Sequence, residues 1–178
     1  MLKQFFLVFS LIISVNIFFT IFTPEIAEAK KSAFTKKDVD AIKNGTFIHA
    51  KGKIGTTQNA LAKKGVKKYK DDTFVYFSQM HSIDVQFFYE FTVYNPFIEG
   101  YETYDTVHII DAFYDKKMDT AIFKKYFKRD KKRDVTHHNI IAYKVGSKRL
   151  FVSANSSGTH LTLFKNTTTL DRFKSIAE

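Results

Sequence analysis

The sequence predicts an α+β fold in which two tandem helix-plus-meander units share one antiparallel sheet, with the helices packed on one of its faces. Two observations carry this expectation. From Met118 to Phe164, MDTAIFKKYFKRDKKR places Met118, Ile122, Tyr126 and Phe127 at helical spacing, and HHNIIAYKV, KRLFVSA and THLTLF follow as three β-rich runs separated by Gly146-Ser147 and Asn155-Ser156-Ser157-Gly158. Upstream, GTTQNALAKKG reads as a similar short helix, followed in the same order by DTFVYFS, IDVQFFYEFTV and TVHIIDAFY. No Pro/Gly/Ser-rich linker divides the two halves, so one domain is expected over 30–178, with unit one about 35–114, unit two about 115–165 and a tail at 166–178.

In chain order, Thr35 is a suitable N-cap for KKDVDAIKNG, with Asp38 as an acidic first-turn residue, Val39 and Ile42 as the apolar side and Gly45 as the stop. TFIHAKGKI then reads as an extended segment leading to Gly55-Thr56-Thr57, where the second helix begins, to end near Gly65. VKKYKDD reads as a solvated basic connector. Ile83 to Tyr94 reads as one long strand with Val85, Phe87, Tyr89, Phe91 and Val93 on the face that meets the helices. Its other face, with Asp84, Gln86, Phe88, Glu90, Thr92 and Tyr94, is half-polar and is expected to be wet or bound to something. Asn95 to Asp105, with Pro96, Gly100, Glu99 and Glu102, reads as an exposed loop carrying Tyr101 and Tyr104. Thr106 to Tyr114 is the next strand, and the basic helix from Met118 follows it.

The N-terminus reads as a targeting segment. Lys3 is followed by an apolar stretch from Phe5 to Phe22, and Ala27-Glu28-Ala29 supplies small residues at a cleavage position, so residues 1–29 are expected to be a signal peptide and Lys30 the mature N-terminus. The expected location is secreted, or the extracellular face of the cell envelope; a membrane partner enters only if the segment stays uncleaved as an anchor. With no cysteine, the exported chain has no disulfide and must be held by packing, for which 20 Phe and 9 Tyr supply large apolar areas. The full chain carries a formal +10, and loss of Lys3, Glu25 and Glu28 raises the mature value to about +11, a charge that draws polyanions.

IKNGTFIHAKGKIGTTQNALAKKG resembles the opening of a secreted bacterial family of unknown function with tandem repeats like those of the β-lactamase inhibitor protein: a helix ending in Gly, a Gly-Thr-Thr turn and a second Lys-Lys helix. HNIIAYKVGSKRLFVSANSSGTHLTLF resembles the closing strands of that family. The chain departs from the pattern in lacking an aromatic residue between Lys64 and Gly65, and in running its later helix through Phe127 and Lys128 with no Gly. The resemblance implies an exported repeat architecture and no chemistry.

Lys124, Lys125, Lys128, Arg129, Lys131, Lys132 and Arg133 form the strongest local signal, a run whose potential suits anionic envelope polymers without sequence-specific nucleic-acid recognition. Read blandly, the same run is a solvated helix face. Phe88, Tyr94, Tyr101 and Tyr104 are candidate protein-binding residues, because aromatic side chains dominate interface energetics; the plain alternative is that they cover the sheet. His137 and His138 are neighbours that would point to opposite strand faces, so no metal site is expected, and no cofactor. There is no Gly-x-Ser-x-Gly elbow, Cys nucleophile, His-Glu-x-x-His or phosphate-cradling glycine loop, although Glu90 and Asp111 could assemble as a carboxylate pair. The expected function is therefore a non-enzymatic binding protein with a cationic surface, the alternative being a secreted inhibitor or immunity-type protein that grips an extracellular enzyme through its aromatic face.

Overall fold

Thr35 starts the first helix as the spacing requires: its side chain accepts from the Asp38 amide at 3.4 Å, while the Asp38 carboxylate accepts from the Thr35 amide at 2.8 Å. This reciprocal cap launches α1 (Lys36–Lys43), which buries Val39 and Ile42. Thr57 caps α2 (Gln58–Lys63) by accepting from the Ala60 amide at 3.2 Å, and α2 buries Leu61. The computed structural model describes residues 34–119, 121–135 and 139–169, all within the unit Lys31–Glu178. The expected signal segment and Lys30, His137 and His138, and the end of the tail lie outside the described residues.

The strands are β1 (Lys67–Lys70), β2 (Val75–Ser82), β3 (Val85–Glu90), β4 (Thr92–Asn95), β5 (Gly100–Thr103) and β6 (Ile109–Tyr114), then, after α3 (Ala121–Tyr126), β7 (Lys128–Arg129), β8 (Ile141–Val145), β9 (Lys148–Asn155) and β10 (Gly158–Phe164). Eight of them form one antiparallel sheet in the order β1-β2-β3-β6-β10-β9-β8-β7, and β4 pairs only with β5. The fold is thus mixed, a large antiparallel sheet with short helices. The central seam joins β6 to β10, with Ala112 opposite Leu161 and Phe113 opposite His160.

Burial along β2 and β3 alternates, which sorts the sheet into two faces. Phe77, Phe87, Tyr89, Ile110, Leu150, Val152 and Leu161 form one cluster with Val39, Ile42, Leu61 and Phe123, so α1, α2 and α3 all pack on the Phe87/Tyr89/Phe91 side. Each such side chain, fully withdrawn from water, contributes on the order of 1.5–3 kcal/mol before entropy is counted. The opposite face is partly covered by the chain itself, since Ile109, Ala142, Phe151 and Phe164 close around Val93, with Tyr104, Val135 and Ile140 at the margin.

Several local expectations are corrected. VKKYKDD is no connector: its Lys67–Lys70 is the edge strand β1, with Tyr69 opposite Tyr76. The long strand breaks at Phe91, whose amide bonds the Val75 carbonyl; β4 then leaves the sheet, which carries Val93 to the far cluster rather than the helix-facing one. Asn95 to Asp105 is largely the β4–β5 hairpin, with Asn95 buried and donating to Glu102. TFIHAKGKI is a turn-rich loop, not a strand, tied to the sheet where the Lys51 amide donates to Gln79 at 2.8 Å and the Gly52 amide to the Tyr89 hydroxyl at 3.3 Å. Gly52 is needed there, because a Cβ would lie 2.6 Å from Leu61 and 2.9 Å from Tyr89. The basic helix shrinks to Ala121–Tyr126, anchored by Phe123, which the assumed spacing had not placed in the core; Met118 is buried ahead of it, its amide donating to Thr159.

Candidate functional site: a lysine-lined cleft and an aromatic sheet face

The shortened helix redistributes the predicted cationic run. Lys124 and Lys125 stay on exposed positions of α3, Lys128 and Arg129 become β7, and Lys131, Lys132 and Arg133 form a single 3-10 turn. The arginines are held in ion pairs. Arg129 donates from Nε at 2.9 Å and approaches with its guanidinium at 2.7 Å the Asp134 carboxylate, and Asp130 holds Arg149 at 2.9 Å with Arg133 at 3.7 Å. These pairs pin the turn to β7 and β9, and the Ala142 amide on β8 donates to Asp134 at 2.9 Å. Lys128 of the run lines a cavity.

That cavity, about 380 Å³, is bounded by Lys43, Tyr126, Phe127, Lys128, Lys144, Val145, Gly146 and Lys148. Lys43 arrives from the end of α1, far upstream of the predicted run, and Lys144 from β8 and Lys148 from β9 flank the turn between the two strands that follow it. Lys128 and Lys144 are directly opposite each other in the β7–β8 ladder. Like charges so placed repel, and among the described residues no carboxylate lies within ion-pair distance of any of the four lysines. Tyr126 forms an apolar wall, with the Lys43 ammonium 5.9 Å and the Lys125 ammonium 5.4 Å from its ring centre. The arrangement concentrates positive potential over a partly apolar floor, which suits an anionic group on a carbon framework.

The four predicted aromatic residues divide. Phe88 sits at the middle of a ring ladder that crosses the sheet: Tyr69 stacks on Tyr76 at 5.1 Å, Tyr76 meets Phe88 at 6.0 Å, Phe88 meets Phe113 edge-on at 5.6 Å, and Phe113 stacks on His160 at 4.0 Å. Tyr101 stands edge-on to Phe74 at 4.8 Å and to Tyr94 at 5.4 Å, so Tyr94 buttresses it from the hairpin. Tyr104 belongs elsewhere, stacked on His108 at 3.9 Å and donating to Glu102. Phe74, Tyr76, Phe88 and Tyr101 line a second, mostly apolar cavity of about 370 Å³ with Asp71, Val75 and Glu90.

The carboxylate pair is present beside this ladder. Burial first, and the neighbouring Asp111 carboxylate second, push the Glu90 carboxyl well above the ordinary carboxylate range. Asp111 accepts from Thr162 at 2.6 Å and bonds the His160 ring at 2.8 Å. Both bonds fall on Oδ1 of Asp111, which ties β6 to β10 at the seam.

Comparison with protein-family models, curated proteins and solved structures finds no match. The reading of this chain therefore rests on its own geometry. Among the described residues no helix is long and apolar enough to cross a membrane, and no group of three or more His, Cys, Asp or Glu is placed to hold a metal ion.

Proposed function

We propose that this chain is an exported, non-enzymatic binding protein that holds an anionic envelope polymer at the Lys43/Lys128/Lys144/Lys148 cleft. The observation that carries the reading is the opposed Lys128–Lys144 pair with no carboxylate at ion-pair distance among the described residues, a repulsion that a phosphate or carboxylate of a polymer would relieve. The exposed Lys124, Lys125, Lys131 and Lys132 extend the field around it and steer a polyanion without reading its sequence. The finer architecture belongs to the same proposal: β1-β2-β3-β6 and β7-β8-β9-β10 are each a short strand followed by three meander strands, the order that a repeated unit of the secreted inhibitor-like type would produce.

The test is retention of the protein on immobilised polyphosphate at low salt. The variant Lys43→Gln/Lys128→Gln/Lys144→Gln/Lys148→Gln is expected to lose retention while Lys124→Gln/Lys125→Gln/Lys131→Gln/Lys132→Gln keeps most of it. Equal retention by wild type and the cleft variant sinks the reading. A second reading, a secreted inhibitor or immunity-type protein, is favoured by the β4–β5 hairpin, whose tip exposes Phe97 and Ile98 beside Tyr101. A stoichiometric partner captured by wild type and lost in Phe97→Ala/Tyr101→Ala, with no effect of the lysine changes, would put this reading first.

A further inference from the structure

The Phe74/Tyr76/Phe88/Tyr101 cavity has a composition at odds with the rest of the surface. The chain carries 28 basic against 18 acidic side chains, yet no Lys, Arg or His lines this cavity, whereas two carboxyls, Asp71 and Glu90, do. Four aromatic rings from three places converge on it: Phe74 from the β1–β2 turn, Tyr76 and Phe88 from adjacent strands, and Tyr101 from the β4–β5 hairpin. Their planes are mutually inclined, 61° between Phe74 and Tyr101 and 50° between Tyr76 and Phe88, so the rings wall a hollow instead of stacking into a slab. Phe74 and Tyr101 keep 41% and 38% of their surface exposed, which leaves the mouth open.

Ring faces carry negative electrostatic potential, and a hollow walled by several of them favours a large, weakly hydrated cation over both water and a small ammonium ion. Asp71 stands at the rim with its charge secured, because the Phe74 and Thr73 amides donate to it at 2.6 and 2.8 Å and hold its carboxyl below the ordinary range. We infer that this cavity is a binding site for an alkylated ammonium group, with Phe74, Tyr76, Phe88 and Tyr101 as its cage and Asp71 as its anionic rim. Such a group could belong to a choline headgroup or to a methylated lysine of a protein, and the site reads the shared cation. The site is independent of the lysine cleft, whose ligand has the opposite charge.

The experiment titrates the protein calorimetrically with choline, tetramethylammonium and 3,3-dimethylbutan-1-ol, the neutral isostere of choline. Saturable binding of both cations, at least about tenfold tighter than the neutral alcohol, is expected. Phe74→Leu and Tyr101→Leu, both at exposed positions, are expected to weaken choline binding several-fold with the thermal melt unchanged, and Asp71→Asn to weaken the cations but not the alcohol. Comparison of phosphocholine with a trimethyl-lysine peptide shows which of the two sources the site prefers. Equal affinity for choline and its neutral isostere, or unchanged choline binding in both ring variants, overturns the assignment. Lys128→Gln/Lys144→Gln serves as the control, since loss of choline binding there would place the cation elsewhere.

Discussion

Tyr143 is fully buried under Phe123, and its hydroxyl has no hydrogen-bond partner among the described residues. A buried hydroxyl without a partner forfeits its hydration, so Tyr143→Phe is expected to raise unfolding stability by about 1 kcal/mol, read as a higher urea midpoint at unchanged slope. A lower midpoint would mean that the hydroxyl is satisfied. Glu90 makes a prediction of the opposite kind. Its carboxyl, raised in the folded state by burial and by Asp111, keeps its proton where the unfolded chain has released it. Folding then binds a proton, so this group's contribution to stability falls as pH rises from the ordinary glutamate range toward the raised value. Asp111 and His160 face the same network, and both stay in place in Glu90→Gln. The variant should therefore gain on wild type progressively as pH rises above the ordinary glutamate range in urea titrations, and a constant difference would refute the coupling. Glu90 and Asp111 were nameable as a pair from sequence, but their approach depends on the β3–β6 register that puts Phe88 opposite Asp111.

Helix α1 shows how much an element can reveal in advance. Thr35, Asp38, Val39, Ile42 and Gly45 supply the cap, the first-turn acid, the buried stripe and the positive-φ stop, all within eleven residues. Because an eight-residue helix is marginal without its cap, Thr35→Ala is expected to cost about 1 kcal/mol, and Thr35→Ser or Thr35→Asn to restore most of it, as measured by thermal unfolding. No loss in Thr35→Ala would show that packing of Val39 and Ile42 alone holds the helix. Helix α3 shows the reverse. Its sequence continues through Lys128 and Arg129 with good helix formers, yet those residues pair with β8, where the Asp130 amide donates to the Ala142 carbonyl at 2.8 Å and Asp134 accepts from the Ala142 amide, while Asp130 reaches Arg149 on β9. Local propensity of a few tenths of a kcal/mol per residue is outweighed by tertiary pairing.

Charge acts over the protein as a collective property. If four lysines each meet one phosphate of a flexible polyanion, counterion release predicts a fall in affinity of roughly 50-fold between about 50 and about 200 mM salt. Lys128→Gln/Lys144→Gln, halving the contacts, should reduce that fall to roughly sevenfold. Retention measured across salt concentrations checks both numbers, and an affinity indifferent to salt would exclude a charge-driven contact at the cleft. Choline at the aromatic cavity, with one charge, should show only slight salt dependence, so the two sites are separable in one series of titrations.

What could be read from residue order was whatever depends on near neighbours: the caps of α1 and α2, the meander runs, the apolar face of Phe87, Tyr89 and Phe91, and the excess of positive charge. These follow from backbone sterics, side-chain periodicity and composition, which need no knowledge of distant chain. Lys43, Lys144 and Lys148 could not be joined to Lys128 in advance, because the packing of α1 and the β7–β8 register bring them together. Phe74 and Tyr76 likewise gave no local sign of meeting Phe88 and Tyr101, since the break at Phe91 and the departure of β4 from the sheet decide where the hairpin falls. Sheet order and strand register set these contacts, and both are fixed by the burial of all the inward side chains together rather than by any one segment.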